Sequence, residues 1–163
     1  GLPGDSAEGF RASLEQVLAL GPENVTVHTL ALKKGARLME RPEDLCTPAT
    51  VSDMLALGEH ALRDAGYQPY YLYRQKYMSG SFENVGWCKP GTECAYNIIM
   101  MEELQTVLSL GAGGVTKLVD PSTGKITRLA NPKFPKEYLD SWEKLAAGKL
   151  SAAQFQARLY QAP

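Results

Sequence analysis

Between Leu110 and Val119 the chain reads Leu-Gly-Ala-Gly-Gly-Val-Thr-Lys-Leu-Val, a tight glycine cluster running straight into a β-branched apolar run. Glycine loses more backbone freedom on folding than any other residue. A cluster is therefore kept where φ is positive or where something approaches the backbone closely. Two situations meet that demand. One is a strained turn or bulge at the start of a strand. The other is a flat cofactor laid against the backbone at Gly111, Gly113 and Gly114. Composition does not choose between them.

The chain has 163 residues, 44% of them hydrophobic, enough to bury one sizeable core, so a single domain 1–163 is expected. Its 17 basic and 18 acidic residues nearly cancel, and no long run of one sign occurs. That argues against a nucleic-acid or membrane-surface binder. No stretch approaches the ~18 apolar residues of a membrane span, and the start lacks the regions of a signal peptide. Cys46, Cys88 and Cys94 are odd in number and suit neither a zinc site nor a disulfide framework, so free thiols in a reducing cytoplasm are expected. The chain opens at Gly1 in a Gly-Leu-Pro-Gly turn of the kind that normally follows a strand. A piece of something longer is the expectation.

Asp5 or Ser6 caps a helix whose Phe10, Leu14, Val17 and Leu18 share one face, ended by Gly21-Pro22. Asn24 to Lys33 reads as a strand buried on both faces, the pattern of an inner strand of a mainly parallel sheet. Helix and strand in alternation point to an α/β fold. After a loop over 34–46, Thr47-Pro48 starts a second amphipathic helix carrying Val51, Met54, Leu55, Ala61, Leu62 and Ala65, closed by Gly66. Tyr70 to Tyr77 is strand-like, and Ser79 to Gly91 reads as a long loop. Over Thr92 to Ser109 the apolar spacing of Met101, Leu104 and Leu108 favours a helix at the end, with Tyr96 to Met100 extended. Val115–Val119 and Lys125–Leu129 flank Asp120-Pro121-Ser122-Thr123-Gly124 as a hairpin. Pro135 opens a helix with Tyr138, Leu139, Trp142 and Leu145 on one side. Gly148 stops it, and Ser151 caps a last helix with Phe155 and Leu159.

Few residues advertise chemistry. His28 sits between apolar neighbours with no partner acid nearby, as a buried structural histidine would. His60 lies on the polar side of a helix, and Glu102-Glu103 read as a solvated helix face. There is no nucleophile elbow, metal-ligand spacing or Walker loop. Arg74 and Lys76 stand among Tyr70, Tyr71, Tyr73 and Tyr77. Such a strand can grip a planar or polycarboxylate ligand, or be an aromatic sheet with basic tips reaching solvent.

Taken in order, Gly1-Leu2-Pro3-Gly4-Asp5, the run Val25 to Lys33, Gly66-Tyr67, Tyr71-Leu72-Tyr73-Arg74-Gln75-Lys76, Tyr96-Asn97 and Leu110-Gly111-Ala112-Gly113-Gly114 form a recognisable series. Over nearly all the chain, from Gly1 to about Tyr138, it resembles the C-terminal part of radical S-adenosylmethionine enzymes of the oxygen-independent coproporphyrinogen III oxidase family (coproporphyrinogen dehydrogenase). The resemblance is greatest to the variant branch of Bacillus- and Clostridium-like bacteria. It implies an α/β fold shading to α+β, the C-terminal portion of a partial (β/α) barrel. Residues 1–66 would be the last β/α units, 67–130 added strands and a β-hairpin, and 131–163 C-terminal helices.

The resemblance further implies a cytoplasmic enzyme of anaerobic haem biosynthesis. A [4Fe-4S] cluster would cleave S-adenosylmethionine, and the radical formed would start oxidative decarboxylation of coproporphyrinogen III to protoporphyrinogen IX, with an electron donor as partner. The family's CxxxCxxC cluster ligands are absent here and are expected upstream of Gly1, so this chain alone is expected to bind no cofactor and to be inactive. By position the backbone of Ala31 matches a contact to the adenosyl group, and Val115 an apolar residue packing on the cofactor. Arg74, Lys76 and Lys117 would suit the substrate's carboxylates. A relative that binds or delivers haem without oxidising anything, and a stand-alone interaction domain on the same scaffold, are the competing expectations. An open barrel edge along Asn24 to Lys33 would also invite self-association.

Overall fold

The computed structural model describes residues 1–33, 35–74 and 79–161, which divide into two compact units, Gly1–Met101 and Glu102–Pro163. Both units mix helices with strands.

In the first unit, helix α1 (Ala7–Ala19) starts where Ser6, extended in its backbone, accepts a hydrogen bond from the Gly9 amide on its Oγ at 3.1 Å. Helix α2 (Pro48–Asp64) starts the same way, with Thr47 Oγ1 taking the Thr50 amide at 3.1 Å and Pro48 in the first turn. Each such cap contributes about 1 kcal/mol. Phe10 of α1 packs against Gly58 of α2, where a Cβ would stand 3.1 Å from the ring. Gly66, at φ +83, ends the second helix and turns the chain into the sheet.

That sheet joins β1 (Asn24–Val27), β2 (Gln68–Tyr73) and β3 (Asn84–Cys88) in the order β1-β3-β2, with both ladders antiparallel. Val25, Val27, Val85 and Trp87 pack with Leu14, Leu62 and Tyr67 to form the core. The Arg63 guanidinium lies 5.3 Å from the centre of the Trp87 ring, a cation–π contact. On the opposite face Tyr71, Gly86 and Thr26 form one row across the three strands. The Tyr71 ring crosses Gly86, where a Cβ would stand 1.9 Å from a ring carbon, and the phenol shares a 3.0 Å hydrogen bond with Thr26 Oγ1. Asn84, buried, accepts the Thr29 amide on Oδ1 at 2.8 Å and carries the chain past the end of β1.

Several expectations are corrected here. The strand at Asn24 stops at Val27 and lies on the edge of an antiparallel sheet; it is not an inner strand of a parallel one. His28 falls beyond it and is exposed. The supposed loop over 79–91 contains β3, the central strand. Asn84 and Gly86 are poor strand formers by propensity, and tertiary context overrides that. One is held by a buried hydrogen bond and the other leaves room for a ring. Of the tyrosine strand, Gln75, Lys76 and Tyr77 lie outside the described residues.

In the second unit, β4 (Val115–Val119) and β5 (Ile126–Ala130) form the expected hairpin. Its turn is held by Asp120, which accepts from the Ser122 amide and hydroxyl at 2.9 and 2.6 Å, and by Gly124 at φ +67. Val107 bridges Lys117 through two 2.9 Å backbone bonds. The helix before it is displaced from its expected place. Helix α3 (Ala95–Glu102) covers Tyr96 to Met100, while Leu104 and Leu108 lie past its end, because Glu103 turns left-handed at φ +50. Helix α4 (Pro135–Asp140) breaks at Ser141, and α5 (Trp142–Gln161) runs through both Gly148 and Ser151. Ser151 is not a cap: its hydroxyl donates back to the Ala147 carbonyl at 3.1 Å, the bond a mid-helix serine makes.

Gly86→Ala forces the Tyr71 ring off its neighbour, so urea denaturation should show about 1–3 kcal/mol lost. Tyr71→Phe keeps the ring in place and should lose only about 1 kcal/mol. Equal stability of the Ala variant and the parent would mean the ring does not hold the sheet.

Candidate functional site

The glycine-rich turn precedes β4, and three separate segments of its own unit fasten it. Gly111 (φ +92) donates its amide to the Tyr138 hydroxyl of α4 at 3.0 Å. Gly113 (φ +73) donates to the Pro132 carbonyl at 2.7 Å, and the Asn131 amide donates to the Gly114 carbonyl at 2.9 Å. The Asn131 side chain, buried after β5, donates through Nδ2 to the Gly111 carbonyl at 2.8 Å and to that of Ser109 at 3.4 Å. From α5, Lys149 Nζ reaches both the Ser109 carbonyl and Thr116 Oγ1 at 2.6 Å. Thr116 is fully buried and also takes the Ser109 amide at 3.1 Å.

The three glycines differ in use. A Cβ at Gly114 would stand 2.2 Å from Ser109 Oγ, whereas Cβ atoms at Gly111 and Gly113 would meet open space. The last is therefore demanded by packing and the first two by positive φ. Ala112 and Gly113 are exposed, and Val115 keeps 41% of its surface at the foot of β4. Because the amides of Gly111 and Gly113 are already given to protein oxygens, the turn is no cradle of free donors for an anion. It offers a smooth backbone surface next to an apolar side chain.

Beside the hairpin, Glu103 accepts from Lys117 Nζ at 2.9 Å and from Arg128 at 2.8 Å, one carboxylate bridging both strands. The hydrogen bond from Lys117, helped by the charge of both cations, holds the Glu103 carboxyl below the ordinary range. Glu102 is exposed at the end of α3, as expected of a solvated helix face; Glu103 is not, and its bridge commits Lys117 to a partner. Arg74 sits just past β2 in the first unit, 3.2 Å from Glu83 and with its side chain 59% exposed. Such a surface pair is weak, about 0–1 kcal/mol, so the guanidinium is free to exchange it for another carboxylate. Lys76 lies outside the described residues. Ala31 belongs to the first unit, Gly111 to Val115 to the second.

Cys46, Cys88 and Cys94 are unpaired, and among the described residues no group of histidine, cysteine and carboxylate side chains could hold a metal. Burial, and then the nearby Glu93 carboxylate, push the Cys88 thiol upward, away from the thiolate a ligand or nucleophile needs. No helix among the described residues is long and apolar enough to cross a membrane. Sequence reasoning missed Asn131, Tyr138 and Lys149. Only the Asn-Pro step after the hairpin was a visible cue, as a turn signal.

Comparison with known proteins gives two relatives. Over 152 residues, 92% of the chain, it is 42% identical to the oxygen-independent coproporphyrinogen-III oxidase-like protein HemZ of Bacillus subtilis, of which this covers 30%. Over 139 residues, 85% of the chain, it is 30% identical to the heme chaperone HemW of Haemophilus influenzae, covering 33% of that protein. The chain thus spans about a third of the length of these curated relatives. No family model matches it, and no solved structure matches it significantly.

The Glu103 bridge carries a pH signature. Its folded pKa is lowered, so its stabilisation is fully present above the unfolded carboxyl value of about 4.3 and is lost as pH falls through that value towards the folded one. Glu103→Gln should flatten that acid limb and lose up to about 1 kcal/mol at neutral pH. Chemical denaturation at a series of pH values checks it. An unchanged acid limb in the variant would remove Glu103 as the cause.

Proposed function

This chain belongs to the oxygen-independent coproporphyrinogen-III oxidase-like family, and from that premise we propose that it is the C-terminal part of a radical S-adenosylmethionine oxidoreductase. The parent converts coproporphyrinogen III to protoporphyrinogen IX in the cytoplasm, using a [4Fe-4S] cluster and an electron donor. The observation that carries the cofactor assignment is the exposed backbone of Ala112-Gly113 next to half-exposed Val115. That surface fits the flat, weakly polar face of an adenine. The cysteines do not fit a cluster: they are scattered, and Cys88 is buried. Under this reading the cluster would be held by residues outside this chain.

When bound, S-adenosylmethionine with a reduced cluster would supply a radical able to start oxidative decarboxylation of a propionate side chain, the carboxylate leaving as carbon dioxide and the released electron passing to an acceptor outside this chain. This chain's own contribution is to seat the adenosyl group and, through Arg74, to hold a substrate carboxylate in a bidentate fork. Among the described strands β3 alone pairs with β1, and the other edge of β1 is a surface for self-association.

The match to a heme chaperone favours a second reading, in which the parent binds or delivers haem without oxidising anything. Incubating the full-length protein with coproporphyrinogen III under anaerobic reducing conditions separates the two. Protoporphyrinogen is the expected product; stoichiometric haem binding without turnover would replace the oxidase by the carrier. Arg74→Ala should then slow consumption of coproporphyrinogen about tenfold or more, while cleavage of S-adenosylmethionine stays near the parent rate. Equal loss of both, or of neither, would exclude Arg74 from the substrate site.

A further inference from the structure

The glycine-rich turn is closed at its base by one cation. Ser109 precedes the turn and Thr116 follows it, and Lys149 Nζ lies 2.6 Å from an oxygen of each. The Ser109 amide completes the closure by donating to the same Thr116 hydroxyl at 3.1 Å. Lys149 comes from α5, thirty-odd residues further along the chain. Among the described residues no carboxylate lies within 4.0 Å of it, in contrast to Lys117 and Lys136, which hold Glu103 and Asp140. Its charge is therefore directed at two neutral oxygens. Charge-assisted hydrogen bonds of this kind are about twice as strong as neutral ones.

Resting on the reading of the turn as the cofactor seat, we propose that Lys149 is a positioning residue that fixes the course of Gly111 to Val115 for S-adenosylmethionine. It touches neither cofactor nor substrate. The ammonium holds the two ends of the turn together, so the exposed backbone of Ala112-Gly113 and the side chain of Val115 keep one arrangement. Tyr138 binds within the turn, Asn131 binds within it and, at 3.4 Å, to Ser109; Lys149 ties Ser109 at one end to Thr116 at the other. Without it, Ser109 and Thr116 remain linked by one neutral hydrogen bond, and the turn samples other courses at a loss of affinity.

The test measures equilibrium binding of S-adenosylmethionine to the anaerobically reconstituted full-length protein, together with its thermal midpoint. Lys149→Met keeps the aliphatic stem and removes both bonds. It should weaken binding tenfold or more with the midpoint within a few degrees of the parent, and Lys149→Arg should recover affinity to within about threefold. Parent-like affinity in the Met variant, or an Arg variant as weak as the Met variant, would overturn the proposal. Should the Met variant fail to fold, Thr116→Val carries the test, since it deletes one acceptor at nearly constant shape; undiminished affinity there also overturns it. Val115→Glu separates the underlying reading. If it binds as the parent does, the turn is not the cofactor seat. If it loses binding while Lys149→Met does not, only the role of Lys149 falls.

Discussion

A missing Cβ organises each unit. At Gly86 the Tyr71 ring occupies the space a side chain would need, and the row from Tyr71 to Thr26 binds all three strands through the central one. At Gly114 a Cβ would stand 2.2 Å from Ser109 Oγ, so the serine side chain would have to turn away to admit one. In both places a glycine in or beside a strand, which weakens the strand taken alone, permits a contact that fixes the surrounding chain. The central strand of the first unit thus depends on a side chain from its neighbour, and would be a weak strand without it. The helices add their layer on the other face, where Leu62 and Trp87 are buried.

What was legible in the sequence follows the same division. Ser6, Thr47-Pro48 and Gly66 act through hydrogen bonds to residues a few positions away, so α1 and α2 could be placed from local chemistry. The hairpin was legible for the same reason, since Asp120 and Gly124 close it locally. The failures are all non-local. β3 was hidden because Asn84 is held by Thr29, fifty-five positions away, and Gly86 by a ring on another strand. The end of α3 was misplaced because Glu103 turns left-handed just past it, and its side-chain partners Lys117 and Arg128 lie further along the chain. The length of α5 was cut short because Gly148 and Ser151 look like punctuation, whereas the helix runs through both, with Lys149 between them bonded to Ser109 and Thr116.

For the candidate site, the glycines announced a special backbone without saying what made it special. Positive φ at Gly111 and Gly113 and tight packing at Gly114 satisfy the purely architectural explanation in full. What architecture leaves unexplained is exposure. A turn braced by Asn131, Tyr138 and Lys149 has every means to be covered, yet Ala112, Gly113 and Val115 stay open to solvent. Bracing an exposed surface this heavily is what a binding seat requires, since a preformed seat gives up less freedom when its ligand arrives.

That seat also has a definite chemical limit. Its glycine amides donate to Tyr138 and Pro132, and the nearest ammonium is turned inward onto Ser109 and Thr116. It therefore discriminates by fit and by apolar contact at Val115, not by reading charge. A ligand that carries a carboxylate and a sulfonium must have those groups recognised by side chains outside the turn. Under the proposed reading the turn contributes shape alone, and the charged ends of the cofactor fall to residues outside it.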